Sequence, residues 1–132
     1  MSGHNVREEI ADTNPMATST TDAELLCCRN IYGEIADVVE TANNKTRKLV
    51  PPSAAGQMIH INVTLSTNPP VLTIPAPTGT TFDGVNATLT FTRAAATTQL
   101  WVTLISFYID VSGTKTLSWR VLGKGPGVTL TT

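Results

Sequence analysis

The chain has 132 residues, a formal net charge of −1 and 14% charged residues. This length fits one domain of ordinary size with a tail, and the near-neutral charge gives no reason to expect a nucleic acid or a membrane surface as partner. No apolar run reaches the roughly 18 residues that a membrane-spanning helix needs. The first nine residues are too polar for a secretory signal, so we expect a protein that is made in the cytoplasm.

Residues 1–20 have no useful hydrophobic period. Asn14-Pro15 and the Thr- and Ser-rich stretch 17–21 are typical of irregular chain. We therefore expect residues 1–20 to form a flexible N-terminal arm.

Local signals after the arm predict one α-helix over about 21–42, within an attachment segment of residues 21–45. Thr21 with Glu24 three residues later fits a capping box, and the apolar positions that follow recur at spacings of three and four. The predicted oligomer seam consists of Leu25, Cys28, Tyr32, Ile35, Val39 and Ala42. The helix could pack on its own domain or form a short bundle between subunits, and the pattern leaves both open.

The two cysteines, Cys27 and Cys28, are adjacent in the chain. Zinc sites need cysteines or histidines at wider, characteristic spacings, and His4 and His60 are distant in sequence. We interpret both thiols as small apolar fillers and expect no metal and no cofactor.

Composition changes at Pro51-Pro52, where consecutive prolines would end a helix. Charged residues become rare after this point and threonines become frequent. Threonine favours strands because it is β-branched, and its hydroxyl keeps a sheet surface soluble without charge. Residues 51–132 are therefore predicted to form a β-domain.

Alternation of apolar and polar residues predicts the strands of this domain. Ile59, Ile61, Val63 and Leu65 alternate with polar residues, which indicates one buried face. The run from Gln99 to Asp110 is apolar on both faces, so it is predicted to be central in a sheet or covered by a neighbouring subunit.

Residues 111–114 are predicted to form a hairpin turn into the strand 115–122, and Val128–Leu130 is a candidate edge strand. The side chains predicted to dominate packing of the β-domain are Trp101, Ile105, Phe107 and Trp119. The predicted fold is mainly β: a small antiparallel β-sandwich or barrel-like module, preceded by a flexible arm and one α-helix.

The β-domain carries no constellation typical of an enzyme, so we expect no catalytic activity and assign no catalytic residue. His60 lies on the polar face of a predicted strand, and Asp83 and Asp110 lie in turn sequences where aspartate has a structural role. The segment Gly123-Lys124-Gly125-Pro126-Gly127 lacks the residue order of a phosphate-binding loop.

Two short segments of the sequence carry a family resemblance. The strand Leu72-Thr73-Ile74 leads into Pro75-Ala76-Pro77, and the turn Gly79-Thr80-Thr81-Phe82 follows. Together with the preceding segment from Arg47 to Asn62, this style of sequence resembles β-modules in virion proteins of tailed bacteriophages, over about residues 47–122. Such modules occur in head fibres, capsid decoration proteins and the heads of tail fibres.

The resemblance implies a virion structural protein that decorates or stabilises a capsid or forms a short head fibre. It also implies a homo-oligomer, with a trimer favoured, that is attached to other virion proteins such as the capsid through its N-terminal segment. The alternative hypothesis is a carbohydrate- or receptor-binding module in which Trp101, Tyr108 or Trp119 stacks on sugar rings.

Overall fold

The computed structural model describes residues 25–26, 34–40, 46–67 and 70–132. All regular structure in these residues is β-strand, which confirms that the protein is mainly β. The strands in chain order are β1 (Leu25–Leu26), β2 (Glu34–Glu40), β3 (Lys48–Leu49), β4 (Met58–Leu65), β5 (Val71–Pro75), β6 (Thr88–Thr92), β7 (Trp101–Val111), β8 (Thr114–Lys124) and β9 (Val128–Thr131).

The strands form two main sheets. The four-stranded sheet has the order β2-β4-β7-β8 and the three-stranded sheet has the order β5-β6-β9, while β1 pairs with β3. Most neighbours are antiparallel, but β2 runs parallel to β4 and β1 runs parallel to β3. The chain extends the second sheet just before β3, where Thr46 bridges Thr73 and the Arg47 amide donates to the Thr73 carbonyl at 3.0 Å.

The predicted helix over 21–42 is wrong at every described residue, because residues 25–26 and 34–40 are strands. Strand β2 pairs with β4 over seven residues, from Glu34 opposite Ile59 to Glu40 opposite Leu65. Val38 is fully buried and Val39 is half-buried. Backbone pairing along β4, together with burial of the β-branched Val38, therefore overrides the local helix signals.

One buried apolar cluster contains residues from both main sheets, so the sheets share a core. The alternation predicted for β4 is confirmed, since all four of its odd-numbered apolar residues are buried. The core residues of the two main sheets are Val38, Ile59, Ile61, Val63, Leu65, Val102, Leu104 and Trp119 from the four-stranded sheet, and Leu72, Ile74, Leu89, Phe91 and Val128 from the three-stranded sheet.

Strand β7 is central, as its two apolar faces predict, because it lies between β4 and β8. It continues into β8 through a tight turn in which Ser112 and Gly113 have φ values of 53° and 83°. Two central residues with positive φ give the twist that a two-residue hairpin needs. The predicted turn at 111–114 is confirmed.

A buried polar group on β7 fixes the turn that precedes β4. The Ser106 hydroxyl accepts from the Gln57 amide at 2.8 Å and donates to the Ala54 carbonyl at 2.5 Å. The Gln57 side chain in turn accepts from the Ser53 amide at 2.8 Å. The polar atoms of these buried side chains therefore have partners, as burial away from water requires.

The edge strands β8 and β9 each have a residue that hydrogen-bonds to backbone groups on their free edge. Asp83 covers β8: its amide donates to the Trp119 carbonyl at 3.0 Å, and its carboxylate accepts from the Val121 amide at 2.9 Å. Lys124 covers β9 by donating from Nζ to the Val128 carbonyl at 2.8 Å. Blocked edges of this kind oppose the addition of a further strand.

We predict that Asp83→Ala lowers the free energy of unfolding by about 1–3 kcal/mol, because the Val121 amide loses a charged acceptor. Alanine also tolerates the positive φ of 53° at this position less well than aspartate. The matched control is Asp110→Ala, since the Asp110 carboxylate accepts from the Gly113 amide at 2.8 Å but is exposed. Urea unfolding of both variants measures the difference, and equal losses would contradict the role of Asp83 at the β8 edge.

Candidate assembly surface

The face of the four-stranded sheet that points away from the core is a candidate interaction surface, here called the outer face. The strand registers place Met58, Ile105 and Arg120 in one row across it, and place Phe107 beside Ser118 in the next. The outer face comprises Met58, His60 and Asn62 of β4, Trp101, Thr103, Ile105, Phe107 and Ile109 of β7, and Thr116, Ser118 and Arg120 of β8.

The outer face is apolar along β7. Trp101, Ile105, Phe107 and Ile109 are all half-buried, although they lie opposite to the core. Strands of one-sided sheets usually present polar residues to water on this face. The outer face is therefore more apolar than an ordinary solvent-facing sheet.

A histidine on β4 orders one end of this surface. The His60 ring stacks on Trp101 with 5.8 Å between ring centroids and 23° between ring planes. The His60 Nδ1 also lies 2.7 Å from the Thr103 hydroxyl. Two neighbouring strands thus hold the indole in a defined position.

An arginine lies over the middle of the surface. The Arg120 Cζ is 4.7 Å from the centroid of the Phe107 ring, which is cation–π geometry. Arg120 is the one Arg or Lys among the outer-face residues, and no Asp or Glu occurs among them. The outer-face residues of β4, β7 and β8 thus carry one formal charge, and the register of β2 places Asp37 beside Asn62.

The predicted packing residues divide between the two faces of the sheet. Trp119 is fully buried in the core, and its indole Nε1 donates to the Val50 carbonyl at 3.0 Å. Trp101, Ile105 and Phe107 lie on the outer face. The even-numbered residues Val102 and Leu104 take the core positions of β7 instead.

The predicted seam residues do not form a helical stripe where the structure describes them. Leu25 belongs to β1, whereas Ile35 and Val39 belong to β2. Cys28, Tyr32 and Ala42 lie outside the described residues. A contact between subunits through this segment stays a prediction, without the helical spacing that suggested it.

The three aromatic residues considered for sugar stacking lie in three different environments. Trp119 is enclosed, so it cannot stack on a ligand. Tyr108 is 58% exposed, but it has the opposite parity on β7 to Trp101 and thus points to the other face. These residues do not form a shared aromatic platform.

The glycine-rich loop after β8 is shaped by close packing. A Cβ on Gly125 would lie 2.5 Å from the Gln99 carbonyl oxygen and 2.9 Å from the Trp101 ring. A Cβ on Gly127 would lie 2.5 Å from the Leu100 side chain. Both glycines let the loop approach residues 98–101 closely, which accounts for the sequence without a phosphate ligand.

An apolar groove of about 450 Å³ lies beside β3 and the end of β5. Pro51, Pro75 and Pro77 line it with Leu49, and Lys48 is the one charged residue among its described lining residues. Ligand sites of small molecules usually combine apolar walls with several convergent polar groups. This groove has few polar groups, so we assign it no ligand.

Among the residues that the structure describes, no cluster of three or more His, Cys, Asp or Glu side chains could hold a metal ion. The same residues contain no helix that is long and apolar enough to cross a membrane.

Comparison with known proteins gives no match to a family model, a curated protein or a solved structure. The functional argument for this chain therefore depends on its own residues.

We predict that Gly125→Ala lowers the free energy of unfolding by about 1–3 kcal/mol, because the added methyl group overlaps a backbone oxygen that cannot move independently. Gly123→Ala is the matched control on the same segment, where the new Cβ would lie 3.4 Å from the Trp101 ring, an ordinary contact. Thermal and urea unfolding measure both. A larger loss for Gly123→Ala would contradict the close approach of Gly125 to Gln99.

Proposed function

We propose that the chain is a structural subunit of a virus particle of the tailed-bacteriophage type, and that copies of it pack together through the outer face. Its role is to decorate or stabilise a capsid or to form a short head fibre. The fold in this proposal is a small β-sandwich, which is supported by the single core cluster to which both main sheets contribute.

The observation that carries the proposal is the half-buried apolar row on the solvent side of β7. Apolar surface gains free energy when a partner removes it from water, at about 25 cal/mol per Å². Ile105, Phe107 and Ile109 are consecutive on one face of a central strand, so they provide such a surface without any change in the fold. Scattered single apolar residues would not.

A second copy of the chain is the occupant that fits this surface best. The partly covered edges of β8 and β9 oppose strand addition at those two strands, which favours contact through the sheet face there. Arg120 is the one charged residue of the outer face on β4, β7 and β8, so this part of the face can meet a like face around a symmetry axis without strong repulsion. Arg120 is held over Phe107, which keeps its charge at a fixed place in such a contact.

The resemblance of residues 47–122 to virion β-modules supports the location in a virus particle, with synthesis in the host cytoplasm. It also supports a trimer, attachment through the N-terminal segment, and the capsid or another virion protein as the partner of that segment. The threonine-rich β-domain has few charged residues, which suits contacts between subunits because few charges need to be desolvated.

A second candidate function is carbohydrate binding, which the exposed Tyr108 ring favours, since an exposed aromatic side chain can cover the apolar face of a sugar. The Tyr108→Ala variant tests it, because loss of glycan binding by this variant would favour the second function.

We predict that light scattering at micromolar concentration gives a mass three times the 14.0 kDa of one chain. Ile105→Lys should reduce the mass to that of one chain and leave the circular dichroism spectrum unchanged, because a buried unpaired ammonium is strongly unfavourable in an interface. Thr92→Lys is the matched control, as Thr92 is exposed on β6 of the other sheet. A single-chain mass for the unchanged protein would contradict assembly through the outer face.

The virion assignment has its own test in purified particles of the virus that encodes the chain. Mass spectrometry should find the chain in the particles, with many copies for a shell component and a dozen or fewer for a vertex or tail component. Its absence from the particles would exclude the virion role, whatever the mass in solution.

A further inference from the structure

A small cavity lies under the turn that joins β5 to β6, at the end of the outer face nearest the β7–β8 hairpin. Its volume is about 240 Å³, and its lining comprises Gly79, Thr80, Thr81 and Gly84 of the turn with Ile109, Thr116 and Ser118 of the sheet. The volume is below the usual range for drug-sized ligands, about 300–1,000 Å³, and well above the roughly 30 Å³ that one water occupies.

Two hydroxyl groups in the lining are anomalous. Ser118 has no exposed surface, and its Oγ has no hydrogen-bond partner. The Thr81 Oγ1 is also buried without a partner, and the parallel bridge between Phe82 and Trp119 places Thr81 beside Ser118. These are the two buried side-chain oxygens or nitrogens without a partner in the described part of the chain, and they line the same cavity.

Buried hydroxyl groups normally have partners, because burial removes their bonds to water. Ser106 provides the contrast: its hydroxyl is almost as enclosed but makes two hydrogen bonds. An unpartnered pair of neighbouring hydroxyl groups in the lining of one cavity therefore points to a partner that comes from outside the chain.

The lining defines the chemistry of that partner. Its described residues include no charged side chain, which disfavours an ion as the ligand. Threonine and serine hydroxyls both donate and accept hydrogen bonds, and Ile109 adds an apolar wall. A small neutral molecule with several hydroxyl groups and an apolar face has this combination.

We propose that the cavity under the 79–84 turn binds one neutral sugar unit, with Thr81 and Ser118 as its hydrogen-bonding residues. Each hydroxyl reaches the ligand by rotation about χ1, since serine and threonine have alternative staggered positions. The turn itself stays attached to β8 through Asp83. The cavity shares Ile109, Thr116 and Ser118 with the outer face, so sugar binding here requires an assembly that leaves the hairpin end of that face uncovered.

The experiment is a titration of the isotope-labelled full chain followed by two-dimensional NMR. D-Glucose, D-galactose and N-acetyl-D-glucosamine are the probes, each as the free sugar and as a linear trisaccharide. At least one probe should give saturable shifts at the amides of Thr81, Gly84, Thr116 and Ser118. Equal affinity for both forms indicates a free sugar as ligand, whereas binding of the trisaccharide alone indicates the end of a surface polysaccharide.

Ser118→Ala should raise the Kd of that probe about five-fold or more, as expected for the loss of one hydrogen bond of ordinary strength. The same variant should keep the Tm of the unliganded protein, because the deleted hydroxyl has no partner within the chain. Thr81→Val gives a second reading, since it replaces the hydroxyl with a methyl group of similar size.

Two control variants test whether sugar binding is confined to this cavity. Thr129→Val, on exposed β9 of the other sheet, should leave the Kd unchanged. Tyr108→Ala should also leave it unchanged, which distinguishes the cavity from stacking on the exposed tyrosine.

Several results would overturn the proposal. One is the absence of saturable shifts with every probe at concentrations up to roughly 100 mM, where even very weak binding is measurable. Another is a Kd that Ser118→Ala and Thr81→Val do not change. A clear fall in the Tm of unliganded Ser118→Ala without sugar binding would show that the cavity holds only ordered water.

Discussion

The central position of β7 is the constraint on which the rest of the fold depends. Pairing with β4 on one side and β8 on the other engages this strand along both edges. Its side chains therefore lie on both faces of the sheet, because successive residues of a strand point in opposite directions. Val102 and Leu104 fill the core, and the apolar residues of the other parity remain on the outer face.

Polar groups stabilise this arrangement at points where apolar packing alone would leave backbone groups without partners. The Ser106 hydroxyl hydrogen-bonds to the Gln57 amide and the Ala54 carbonyl before β4. The Trp119 indole donates to the Val50 carbonyl after β3. Asp83 performs the same role at the edge of β8. Each bond joins segments that are far apart in sequence, so each fixes the placement of a loop relative to a sheet.

Local sequence chemistry is sufficient to predict some elements of this fold. The alternation in β4 and the Ser112-Gly113 turn depend on side-chain burial and backbone preference within a few residues, and both predictions are confirmed. Strand β2 is different, because Val38 and Val39 fit a helix or a strand equally well and the deciding partner is β4. Local helix signals contain no information about that pairing.

The same limit applies to the candidate sites. Alternation places Ser118 on the polar side of β8, but its complete burial depends on the 79–84 turn that lies over it. The structural role of Asp83 is expected from its turn sequence, while its partner Val121 is 38 residues away. The stacking of His60 on Trp101 likewise depends on the register between β4 and β7. Contacts between residues so far apart in sequence cannot be predicted from a short motif.

The parallel pairing of β2 with β4 has a consequence for how the chain reaches this fold. Between these two strands the backbone bridges the other sheet at Thr46, pairs with β1 through β3, and then returns. The β7–β8 hairpin can close through a two-residue turn, but β2 gains its partner only after a crossover has been ordered. Non-local pairings of this kind slow folding because the entropy of loop closure is lost before the contacts form. This topology therefore favours late addition of β2 to the β4 edge, after the β7–β8 hairpin has closed.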